Sequence, residues 1–92
     1  LEYCTEDYKE LLLDDYNNGV FTWTDKDGES HLIYGMSDSY IQNVIGYLSK
    51  LNQTEKDQVN IASREAIMYI FEQEQIERLK LKKRLKAIKN ER

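Results

Sequence analysis

The residues able to do chemistry are few and scattered. His31 is the only histidine and Cys4 the only cysteine among 92 residues, so a single chain cannot assemble a zinc site from nitrogen and sulfur ligands. No nucleophile pattern surrounds His31, and its position on an expected strand favours an exposed sheet residue over a catalytic one. Cys4 lacks a basic partner and a CxxC spacing, which leaves it a bystander thiol. Asp25-Lys26-Asp27-Gly28 has the opening of a calcium loop. That loop needs a third oxygen ligand before its glycine and a glutamate at its twelfth position, where this chain has Met36. There is no glycine-rich phosphate loop, and the carboxylates are scattered. The expectation is a non-enzymatic chain with no cofactor and no metal.

Charge is the concentrated feature. Residues 1–77 carry 16 acidic and 5 basic side chains, whereas residues 78–92 carry 8 basic and 1 acidic. Arg78, Lys80, Lys82, Lys83, Arg84, Lys86 and Lys89, with Arg92 after them, form the candidate partner-binding set. Two readings compete. One is a solvated helix end, where cations suit the negative pole of the helix dipole. The other is a basic arm for an acidic protein surface or for nucleic acid. The arm lacks aromatics for base stacking, and the acidic body competes with phosphate for its cations. A protein partner therefore ranks above nucleic acid.

Positioning these residues falls to a few elements. Thr5 is placed to cap a short first helix, with Glu6 and Asp7 in its first turn. Tyr8, Leu11, Leu12 and Tyr16 form its expected buried stripe, and Asn17-Asn18-Gly19 ends it. Val20–Thr24 and Ser30–Tyr34 are β-branched and aromatic runs around Asp27-Gly28, the dipeptide of a two-residue type I′ hairpin. That register pairs Thr24 with His31 and Trp23 with Leu32. It sets Phe21, Trp23, Leu32 and Tyr34 on one face. Ser37 is the expected N-cap of the next helix, with Met36 and Ile41 spaced as a hydrophobic staple. Its stripe of Ile41, Val44, Ile45 and Leu48 is expected to cover the hairpin and bury Trp23.

Thr54 and Asp57 resemble a capping box opening a third helix, and no glycine or proline interrupts the chain after it. The first half of this helix is apolar nearly all round, which exceeds what one small body covers. Ile70, Ile76, Leu79, Leu81, Leu85 and Ile88 are the candidate self-association residues, and a homodimer through the third helix follows. The spacing is not a clean heptad, so no long coiled coil is expected.

The fold class is α+β: a short N-terminal helix, a two-stranded antiparallel hairpin, an amphipathic helix and a long C-terminal helix. Residues 1–77 form the expected compact body, and residues 78–92 a basic helical extension. Trp23-Thr24-x-x-Asp27-Gly28, followed by Ile33, Met36, Tyr40, Ile41, Asn43, Ile45 and Leu48, resembles a pattern in small phage and prophage proteins of low-GC Gram-positive bacteria. Their usual form is W-T-x-x-D-G, I-x-x-M, then H-[IL]-x-N-x-I-x-x-L, so Tyr40 stands where they carry histidine. The likeness spans residues 21–51. It implies a phage protein that binds and modulates or inhibits a host protein, such as a defence or replication component. With no apolar run of membrane-span length and no signal-peptide pattern, the host cytoplasm is the expected location.

Overall fold

The computed structural model describes residues 5–90, with side chains described for 7–87. Cys4 and Arg92 lie outside the described residues, and the side chains of Thr5, Glu6, Ile88 and Lys89 outside the described side chains. The elements are α1 (Thr5–Asn17), β1 (Thr22–Thr24), β2 (Ser30–Leu32), a 3₁₀ turn (Ile33–Gly35), α2 (Asp38–Thr54) and α3 (Gln58–Asn90). The fold is α+β, in the expected order.

Helix α1 stops on a Schellman motif. Val20 N–H donates to the Asp15 carbonyl at 2.9 Å and Gly19 N–H to the Tyr16 carbonyl at 3.1 Å. Gly19 takes φ +76°, a conformation that a Cβ disfavours. The buried stripe of α1 runs through Leu12, Leu13 and Tyr16, not through Leu11, which is exposed. Leu12 and Tyr16 lie on the packed face as expected, whereas among the three consecutive leucines Leu13 takes the place expected for Leu11.

The hairpin register also differs from expectation. Thr22 faces Leu32, Trp23 faces His31 and Thr24 faces Ser30. Asp25 N–H donates to the Glu29 carbonyl at 2.9 Å and Gly28 N–H to the Asp25 carbonyl at 3.0 Å. The loop is thus the three residues Lys26-Asp27-Gly28, with Gly28 alone at positive φ, +83°. This is the turn-plus-bulge type rather than a type I′ turn. One added loop residue moves the pairing by one, and a one-residue slip exchanges strand faces. Phe21, Trp23, His31 and Ile33 therefore point inward, while Leu32 and Tyr34 are exposed. The second strand is short because Ile33 already starts the 3₁₀ turn.

Helix α2 begins as read: Ser37 Oγ accepts the Tyr40 N–H at 3.1 Å, and Met36 and Ile41 are both buried. Its end is not as read. Thr54 is its last residue, and Asp57 caps α3 by accepting the Val59 N–H at 2.9 Å. The short linker returns α3 antiparallel to α2, since Arg64 reaches Asn52 and Glu55 near the end of α2 whereas Arg78 reaches Asp38 at its start. Helix α1 runs parallel to α3, with Lys9 Nζ 3.9 Å from the Tyr69 ring centroid and Tyr16 bonded to Glu74.

Two helices of the same chain therefore flank the first half of α3. Ile70 and Phe71 are fully buried between them, with Ile33 and Ile41. Phe21 and Trp23 meet Phe71 edge-on at 5.9 and 5.8 Å. Trp23 is half-buried, and its packing partner is α3 rather than α2 alone. Ile70 is consequently a core residue, unavailable for self-association. Much of the apparent apolar surplus on α3 is satisfied within one chain.

Candidate interaction arm

The root of the arm is a polar cluster that ties four elements together. Glu74 sits on the buried line of α3 and is only 6% exposed. A carboxylate that dry needs partners, and it has two. Tyr16 Oη donates to Oε1 at 2.8 Å, and Arg78 Nε donates to Oε2 at 2.7 Å. Arg78 also donates to Asp38 Oδ1 at 2.7 Å and to the Ile33 carbonyl at 3.2 Å. Lys82 Nζ reaches Asp38 Oδ2 at 3.1 Å. Tyr34 stacks on Tyr16 at 5.6 Å and donates its hydroxyl to the Tyr16 carbonyl. Every polar side-chain atom buried among the described residues has a partner.

The electrostatics follow from these contacts. Desolvation, then the bond to Glu74, pushes the Tyr16 phenol well above its ordinary value. Arg78 and then Lys82 hold the Asp38 carboxyl below the usual range. Burial works against the Arg78 charge, but the bonds to Asp38 and Glu74 outweigh it and raise its pKa.

Beyond this clamp α3 continues as an unbroken helix, and the molecule measures 57 × 26 × 24 Å. The expected partner-binding residues divide accordingly. Arg78 is a structural residue of the body, and Lys82 touches it through Asp38, so the body extends about one turn past residue 77. Lys80 pairs loosely with Glu77 at 3.4 Å. Lys83, Arg84 and Lys86 are exposed; among the described residues no acid forms an ion pair with them. Of the expected self-association residues, Ile76, Leu79, Leu81 and Leu85 are exposed. Leu81 edges a groove with Leu13, Tyr16, Tyr34 and Glu77, and Leu85 follows one turn further out.

At the hairpin tip the structure joins residues that the sequence left separate. Asp25, Glu29 and His31 bring one ligand atom each within 4.8 Å. Asp25 is already engaged: Oδ1 accepts the Asp27 and Glu29 N–H groups at 2.9 and 3.0 Å, and Oδ2 meets His31 Nε2 at 2.8 Å. His31, and then the Glu29 amide, hold its carboxyl below the ordinary range. His31 is half-buried, 5.7 Å from the Tyr40 ring, rather than an exposed sheet residue. This is the donor set that a divalent cation would use, but its bonds close the loop.

Sequence reading missed the clamp, although Glu74 and Arg78 have the i, i+4 spacing of a helical ion pair. No helix among the described residues is long and apolar enough to cross a membrane. In comparisons with known proteins, no family model, no curated protein and no solved structure matches the chain.

Proposed function

We propose that the chain is a non-enzymatic interaction protein, and that the α3 arm binds an acidic, apolar-centred surface on another protein. The observation carrying this reading is the exposed pair Leu81 and Leu85 on a helix bearing Lys83, Arg84 and Lys86, with its root held by Arg78. A solvated helix end has no need of leucines in line, whereas an amphipathic helix laid in a groove uses such i, i+4 anchors. The likeness of residues 21–51 to small phage proteins makes a host protein, modulated or inhibited by this contact in the host cytoplasm, the class of target.

The test is capture from nuclease-treated lysate of a low-GC Gram-positive host, comparing the parent with Leu81→Ser/Leu85→Ser. A nuclease-resistant partner bound by the parent and lost in the variant is the expected result. Duplex DNA binding that falls steeply with salt, by about 0.9 in log K per phosphate contact, with no leucine-dependent protein partner, would replace this reading with the nucleic-acid one.

A further inference from the structure

The outer face of α1 is the chemical converse of the arm. Asp7, Glu10, Leu11, Asp14 and Asn18 fall at i, i+3, i+4, i+7 and i+11, one line along the helix and its end. All five are exposed, Leu11 at 64%. Among the described residues, none of these three acids takes part in an ion pair. A large apolar side chain thus stands in water among carboxylates. On the arm, Leu81 and Leu85 are also exposed, with Arg84 to one side of their line and Lys82, which reaches Asp38 of its own chain, to the other, followed by Lys86. The lengths agree as well. The 13 residues of α1 span about 20 Å, and residues 81–90 about 15 Å.

The arm cannot reach this face within one chain. Helix α3 is continuous, and α1 runs parallel to it with the end of α1 beside the root of the arm, so the arm leaves past that end. We infer that the occupant of the Leu81–Leu85 stripe is a second copy: two chains pair about a two-fold axis, the arm of each lying on the outer face of the other's α1. The two α3 helices then run antiparallel, and the contact is isologous, occurring twice per dimer. Each contact sets basic residues against acidic ones around an apolar centre, so assembly weakens as salt screens the exposed charges. The dimer stands independently of any external partner. A partner taking the same stripe must displace the second copy.

Sedimentation equilibrium of three purified proteins tests this: the parent, an arm variant (Arg84→Glu/Lys86→Glu) and a body variant (Asp7→Lys/Glu10→Lys/Asp14→Lys), each checked for parental helicity. The parent is expected at twice the 11.0 kDa of one chain, with weaker assembly in 1 M NaCl. In either variant alone, both contacts of the dimer oppose like charges, and monomers are expected. Mixing the two variants restores opposite charges at both contacts, so an equimolar heterodimer is expected. A parent that stays monomeric at micromolar concentration overturns the inference. So do variants that dimerise alone, which would place the contact elsewhere, and folded variants that remain monomeric when mixed.

Discussion

Removing Arg78 is the sharpest probe of how this body is held together. In Arg78→Met the aliphatic stem is retained, but the Glu74 carboxylate, 6% exposed, keeps only the Tyr16 hydroxyl as partner. Breaking a buried pair by deleting one member costs about 3–5 kcal/mol, because the remaining charge is uncompensated. The outer guanidinium nitrogens bind Asp38 at the open end of the cluster, where water replaces them readily, which favours the lower value. About 3 kcal/mol corresponds to a fall of roughly 12–24 °C in Tm for a domain of this size. Thermal and urea unfolding followed by circular dichroism provide the measurement. Adding Glu74→Gln to Arg78→Met removes the stranded charge while leaving an acceptor for Tyr16, and should recover on the order of 1–2 kcal/mol. A loss below about 1 kcal/mol in Arg78→Met, or strictly additive effects in the double variant, would refute the reasoning. The carboxylate would then be solvated and uncoupled from Arg78.

Two further outcomes are expected. Tyr16 has a folded pKa raised above its ordinary 10.0 by burial and by Glu74, so its stabilisation is complete below pH 10 and declines as pH rises beyond it. The parent should lose stability more steeply than Tyr16→Phe in alkaline melts, and Tyr16→Phe should cost about 1.5–3 kcal/mol at neutral pH through the lost bond to a carboxylate. Lys26→Pro separates the two hairpin registers. Proline suits the second position of the observed turn and should change stability by less than about 1 kcal/mol, whereas a two-residue Asp27-Gly28 loop would need the Lys26 N–H and would lose the hairpin in the same melt.

Local signals were legible in the sequence where one residue decides the outcome by itself. Ser37, Met36 and Ile41 mark the start of α2, and Gly19 the end of α1, because capping and staple geometry depend only on near neighbours. The long α3 was legible from the absence of anything to stop it. Phase was not. Leu11 and Leu13 are equally good leucines, and which one is buried depends on how α1 rolls against α3. Asp27-Gly28 is compatible with a two- or a three-residue loop, since both put Gly28 at positive φ; the Asp25 carboxylate, gathering the Asp27 and Glu29 amides, favours the longer one. The same one-residue ambiguity sent His31 and Ile33 inward and Tyr34 outward. The arm's cations were visible as a set. That Arg78 belongs to the body depends on Tyr16, Asp38 and Ile33, which lie 40 or more residues away in the chain.

The continuity of α3 from the core to the arm also constrains how such a chain can vary in length. The azimuth of Leu81 and Leu85 is counted off from Glu74 and Arg78, residue by residue, with no joint between them to absorb an error. A single inserted residue at position 79 or 80 turns everything beyond it by about 100°. It would carry the leucines off their line and bring charged side chains into it. The shortest insertion that returns the stripe to within roughly 20° of its starting direction is seven residues, and that lengthens the arm by about 10 Å. Changes in chain length are therefore tolerated beyond the stripe or in the 55–57 linker, whereas the two turns joining clamp to arm keep their count.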